Sequence, residues 1–116
     1  MVDLAVCVEG IRRALVYGIG IEEYRERPRK VGSDYARIST EGFVEAVRAI
    51  AENCPLPEWK KEDLLERYRR WKNSPWQTIA KYALTPAEIS HIPDEALEYL
   101  RDYLGYNPEE YEKYIP

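Results

Sequence analysis

The sequence predicts an all-α protein, a compact bundle of six or seven helices, several of them short. Three observations predict it. Apolar residues recur at spacings of three and four, with no alternating run longer than a few residues. Helix-start signals recur late in the chain, at Ser74-Pro75, Thr85-Pro86 and Asn107-Pro108. The 116 residues, 45% hydrophobic and 33% charged, suit a single domain with one core.

Taken in order, the first helix is expected from about Asp3, an N-cap, to Gly18 or Gly20, where a missing Cβ permits a left-handed stop. Its stripe is Leu4, Cys7, Val8, Ile11 and Leu15, with residues 21–27 as an extension closed by Pro28. Arg29 to Ile38, with Gly32, Ser33 and Asp34, reads as a loop. The second helix starts after Ser39-Thr40 and carries Phe43, Val47, Ile50 and Cys54 on one face.

Pro55 and Pro57 end that helix and open a third, from about Pro57 to Lys72, with Leu64, Leu65, Tyr68 and Trp71 as its stripe. Short helices follow at Ser74-Pro75-Trp76-Gln77 and Thr85-Pro86-Ala87-Glu88, where a capping residue, a first-turn proline and a Gln or Glu partner coincide. Pro93 is expected to open another, with Ala96, Leu97, Leu100, Tyr103 and Leu104 inward and Gly105 at its end. Asp94-Glu95 and Glu109-Glu110 would then lie in first turns, where the helix dipole favours acids.

Several function classes drop out. No apolar stretch is long enough to span a bilayer, and Asp3 and Glu9 interrupt any signal-peptide core, so a cytoplasmic protein without a membrane partner is expected. Cys7 and Cys54 form no metal-type spacing, and both fall on core stripes; two buried free thiols are expected rather than a disulfide. With one histidine, His91, no metal site is expected. No nucleophile, phosphate-loop or metalloprotease motif occurs, so no catalytic residue is assigned.

Binding is better supported. Residues 1–72 carry 14 basic against 13 acidic side chains, whereas residues 73–116 carry 3 against 8. Of 14 aromatic residues, 10 are Tyr and 3 are Trp, rings that pack on one side and meet water or a flat ligand on the other. Arg25, Arg27, Arg29, Lys30 and Arg37 surround the Gly-Ser loop with Tyr24 and Tyr35 among them. Such a loop, with the free N–H groups expected at Ser39-Thr40, suits phosphate oxygens.

On the third helix, Lys60 and Arg67 border one edge of the core stripe, Lys61 and Lys72 the other, and Trp59 falls opposite it. Trp76 follows at a helix start beside Lys72 and Asn73. Aromatic faces beside cations are what single strands and nucleotides require. Arg25, Arg27, Arg29, Lys30, Arg37, Lys60, Lys61, Arg67 and Arg70 are therefore the candidate phosphate contacts, and Tyr35, Trp59 and Trp76 the candidate stacking residues. Tyr99, Tyr103, Tyr106, Tyr111 and Tyr114 keep acidic company, which suits helix-end packing or a protein partner.

The all-α span, the run Trp59-Lys60-Lys61 through Leu65-Glu66-Arg67-Tyr68-Arg69-Arg70-Trp71, and Asn73-Ser74-Pro75-Trp76-Gln77 together resemble the small helix-bundle domain beside the catalytic domain of archaeal plasmid primase–polymerase replication proteins. One Gln and three Asn among many charges give the thermophile-like composition that agrees with it. The resemblance implies a non-catalytic accessory domain, cut from a larger replication protein and monomeric in isolation. It would bind single-stranded template DNA and nucleoside triphosphate (ATP, with Mg accompanying it) to set up primer initiation by the catalytic domain. Two rival readings are a helix-turn-helix regulator of duplex DNA built on Thr85 to Leu104, and a protein-interaction module using the late tyrosines.

Overall fold

The structure, a computed structural model, describes residues 2–105. Five α-helices form among the described residues, without strands: α1 Leu4–Glu26, α2 Ser33–Asn53, α3 Glu58–Lys72, α4 Trp76–Thr78, which runs into a π-helical turn Ile79–Ala83, and α5 Pro86–Leu104. The all-α class is as expected, but the division into six or seven helices is corrected to fewer and longer ones. The start expected at Asn107-Pro108 lies outside the described residues.

Asp3 caps α1, its Oδ1 accepting from the Val6 N–H at 3.2 Å. The helix does not stop at Gly18 or Gly20; it runs on to Glu26. Both glycines instead let neighbours approach. A Cβ on Gly18 would lie 2.7 Å from Ile89 Cγ2, and one on Gly20 2.2 Å from Ser39 Oγ. Tight interhelical packing outweighs the roughly 1 kcal/mol that each glycine costs a helix interior. Leu15, expected on the core stripe, is exposed.

α2 begins eight residues earlier than expected, at Ser33 with Gly32 as N-cap. Ser39 and Thr40 are therefore buried mid-helix residues, not a start signal. The Thr40 hydroxyl donates to the Ala36 carbonyl at 2.8 Å, which satisfies it inside the core. α1 and α2 form an antiparallel hairpin, the largest packing interface, with residue 10 beside 49 and residue 20 beside 39.

Cys7 and Cys54 are fully buried, as expected, but are joined in a disulfide with Cα atoms 4.8 Å apart, which corrects the expectation of free thiols. Their stripes face each other where the open end of the hairpin closes, beside the Asp3 N–H that donates to the Asn53 carbonyl. Position in the core alone does not distinguish two buried thiols from a bonded pair.

α3 matches its expected bounds and buries Leu64, Tyr68 and Trp71. At Pro75 the expected serine cap does not form, because the Ser74 hydroxyl donates back to the Arg70 carbonyl at 3.1 Å. The Thr85–Glu88 capping box does form: Thr85 Oγ1 accepts from the Glu88 N–H at 3.1 Å and Glu88 Oε1 accepts from the Thr85 N–H at 3.3 Å. α5 then runs through Pro93 without a new start. Ile89, Ile92, Pro93, Ala96 and Leu100 make one buried face, and that continuity holds a single helix across a proline that would otherwise break it. Asp94 and Glu95 accordingly sit mid-helix, not in a first turn, and Gly105 ends α5 at φ 73°.

Candidate nucleic-acid interface

Two polar junctions build one end of the bundle. The Leu84 N–H donates to the Ile79 carbonyl at 3.1 Å, the wide i+5 bond of the π turn, which leaves carbonyls at its end without a helical partner. Arg25, on the last turn of α1, donates from Nε to the Ala80 carbonyl and from Nη2 to the Leu84 carbonyl. Burial lowers its pKa, against the opposing fields of Glu22 and Glu88. Arg25 is thus occupied in holding the π turn against α1.

One residue earlier on the same helix, the Tyr24 ring meets Trp76 with centroids 5.8 Å apart. Trp76 is half-buried at the edge of a cleft of about 290 Å³, which Val44, Trp71, Ser74 and Ile79 also line, with Glu41, Glu45 and Lys72 as its charged groups. Lys72 donates to Tyr68 Oη at 2.8 Å and to Glu45 Oε1 at 3.3 Å, and these bonds, Tyr68 first, raise its pKa. That cleft is near the lower bound for a small-ligand site and large enough for a base on the indole.

Beyond α1, Arg27 to Gly32 form a turn in which the Lys30 and Val31 N–H groups donate to the Arg27 carbonyl. Arg27, Arg29 and Lys30 are exposed and have no ion-pair partner among the described residues. They adjoin the N-terminus of α2, where Gly32 supplies no side-chain cap. The free N–H groups expected at Ser39-Thr40 are therefore displaced to Ser33 and its neighbours. Arg37 lies on α2, not in a loop, and is flanked by Asp34 at 3.8 Å and Glu41 at 3.7 Å. Tyr35 is half exposed, also helical, with its hydroxyl against Gly20.

On α3, Trp59 is 66% exposed, as expected of an indole off the core stripe. It stands at the opposite end of α3 from Trp71, about 18 Å away at 1.5 Å per residue, so Trp59 and Trp76 do not share one site. Lys61 lines a shallow cleft with Glu52, Glu58 and Glu62, a poor environment for phosphate. Lys60 and Arg67 are ion-paired to α5, through Glu95 and Glu88 respectively, Arg67 at 2.8 Å. Arg70 is exposed and lines a second cleft with Arg67, Trp71, Ser74, Ala83 and Glu88.

The expected residues therefore divide. Arg27, Arg29, Lys30, Arg70 and Trp76 remain open toward one end of the bundle, while Arg25, Arg37, Lys60 and Arg67 have carboxylate or carbonyl partners. Lys81 and Tyr82, exposed on the π turn, join that end and were not singled out from sequence. Their signal was a bare Lys-Tyr pair in a segment that reads as ordinary helix. Among the described residues, no cluster of His, Cys, Asp and Glu could hold a metal ion, and no helix is long and apolar enough to cross a membrane. α5 is one helix over Pro86–Leu104, so the rival helix-turn-helix reading finds no turn in that segment. Tyr99 is half-buried and Tyr103 exposed; Tyr106, Tyr111 and Tyr114 lie outside the described residues.

What the fold defines is a disulfide-linked all-α bundle with a basic, aromatic end. Compared with known proteins, the chain matches no family model, no curated protein and no solved structure.

Proposed function

We propose that this chain is a non-catalytic domain that binds single-stranded DNA and a nucleoside triphosphate, serving a primase–polymerase catalytic domain carried elsewhere. The observation that carries the reading is the group of unpaired cations Arg27, Arg29, Lys30 and Arg70 at the end of the bundle that holds Trp76. Guanidinium forks and the uncapped start of α2 suit phosphate, and the indole over a base-sized cleft suits stacking. Triphosphate charge belongs with the basic turn rather than in the cleft, because Glu41 and Glu45 repel it there.

A buried disulfide fits an intracellular role in a thermophile, where such bonds persist. The test is tryptophan fluorescence and amide NMR with single-stranded DNA, with and without ATP, at two salt concentrations. The reading expects Trp76 quenching and shifts at Arg27 to Ser33, weakened by salt and strengthened by ATP. No response at either place overturns it.

A further inference from the structure

Two ion pairs join α3 to α5 among the described residues, and they share one geometry. Lys60 meets Glu95 and Arg67 meets Glu88. The cations are seven residues apart on α3 and the carboxylates seven apart on α5, so the antiparallel helices are clasped at two points two turns apart. Between the clasps lies a cavity of about 170 Å³ lined by Asp63, Leu64, His91 and Ile92 together with the four clasp residues. A second cleft adjoins it at Arg67 and Glu88 and continues to Arg70. The seam therefore runs from beside Trp59, whose ring lies 5.8 Å from Lys60 Nζ, to the end of the bundle where Arg70 is open.

Chemically, each carboxylate gives its cation what a phosphate oxygen would, an anionic oxygen in contact with the charged nitrogen, and Arg67 also meets Asp63 of its own helix at 3.4 Å. The Lys60 side chain is mostly covered and that of Arg67 partly covered, so each meets a strand fully only when its acid gives way. Partly exposed ion pairs add little net stability, because the parted charges regain hydration. A polyanion can then take over the cations at small cost to the fold.

We infer that Glu88 and Glu95 are built-in phosphate surrogates that mask the basic edge of α3, and that a bound single strand displaces them to extend along the α3–α5 seam from Arg70 toward Trp59. This inference rests on the nucleic-acid reading above. In the free protein the seam is closed, and binding begins at the open basic end. As the strand advances, Arg67 and then Lys60 exchange glutamate for phosphate; Glu95 turns to solvent, while Glu88 gives up Arg67 from Oε2 and keeps its capping-box bonds to Thr85 through Oε1.

The experiment compares Glu88→Gln, Glu95→Gln and the double variant with Glu98→Gln, an exposed acid of the same helix that takes part in neither clasp. Glutamine at 88 retains the capping-box partner, and thermal melts verify that each variant folds. Anisotropy of a fluorescein-labelled oligodeoxythymidine reads the affinity. Each clasp variant is expected to bind about three- to fivefold tighter than Glu98→Gln, and the double variant about tenfold tighter. Side-chain NMR of Arg67 is expected to shift when oligonucleotide is added to the wild type. If wild type binds, Arg29→Glu/Lys30→Glu weakens it, and the clasp variants match Glu98→Gln, the masking is overturned and the binding reading stands. If no form binds, both fall.

Discussion

Cys7, in the first turns of α1, is bonded to Cys54 at the C-cap of α2, closing a loop with 47 positions of sequence separation. The bond closes the open end of the α1–α2 hairpin, whose other end is closed by the chain itself at residues 27–32. In a chain of this size, with one core and no other cross-link, that closure removes much freedom from the unfolded state. Loop-closure entropy puts the contribution at about 4 kcal/mol. The Cys7→Ala/Cys54→Ala variant is expected to lose stability by about that amount in chemical denaturation. Reductant should lower the wild-type midpoint and leave the double variant unmoved.

Arg25 is expected to be worth more to the π turn than to any ligand. Its guanidinium holds the Ala80 and Leu84 carbonyls, which have no partner within the turn. Arg25→Met keeps the stem and removes the fork, leaving acceptors partly buried and unpaired at a cost of about 2 kcal/mol. Hydrogen exchange should quicken at Ile79 to Leu84 while the α1–α2 hairpin stays protected. Arg25→Lys should rescue only part, since one ammonium cannot span both carbonyls as a planar fork does.

Gly20→Ala offers a test of the hairpin. Alanine is the better helix former by about 1 kcal/mol, yet its Cβ would lie 2.2 Å from Ser39 Oγ and 2.8 Å from Ser39 Cβ. The second distance involves an atom fixed to the backbone, so the helices must part. The variant is expected to be destabilised by about 1–3 kcal/mol in urea titration. Adding Ser39→Gly should recover most of that loss; no loss from Gly20→Ala alone would show that the helices are not pressed together there.

These same contacts explain what was legible in the sequence. Where a boundary is set by local chemistry it was readable: the Asp3 cap, the prolines around α3, the Thr85–Glu88 box and Gly105 all act within a turn of themselves. Where the deciding contact comes from another helix, it was not. Gly18 and Gly20 resemble terminators until Ile89 and Ser39 are placed against them, and Ser39-Thr40 resembles a start until burial turns the threonine hydroxyl back on Ala36. Pro93 resembles a first-turn proline until the stripe on both sides of it is seen to face one core. The candidate site follows the same rule. Exposure of Trp59 was readable from its angle to the stripe, and so was the Asp63 partner of Arg67 at i,i+4, whereas the partners of Arg25 and Lys60 and the Glu88 partner of Arg67 lie 21 or more positions away and could not be.

The nine basic candidates should therefore differ sharply in a binding assay. Arg29 and Lys30 are open on the turn, so Arg29→Glu/Lys30→Glu is expected to weaken single-strand binding about tenfold or more and to flatten its dependence on salt, by about one phosphate contact per residue. Lys61→Glu, in a cleft already lined by Glu52, Glu58 and Glu62, should change affinity less than twofold beyond its effect on net charge. Trp76→Leu should lose about 1–3 kcal/mol of binding if one base stacks on the indole. Trp59→Leu should lose less with a short oligonucleotide, because α3 separates Trp59 from the open Arg70 by about 16 Å. Lengthening the oligonucleotide until it spans that helix should bring the Trp59 effect up. Equal effects of Trp59→Leu and Trp76→Leu on the shortest strand that binds would show that binding does not begin at the basic turn.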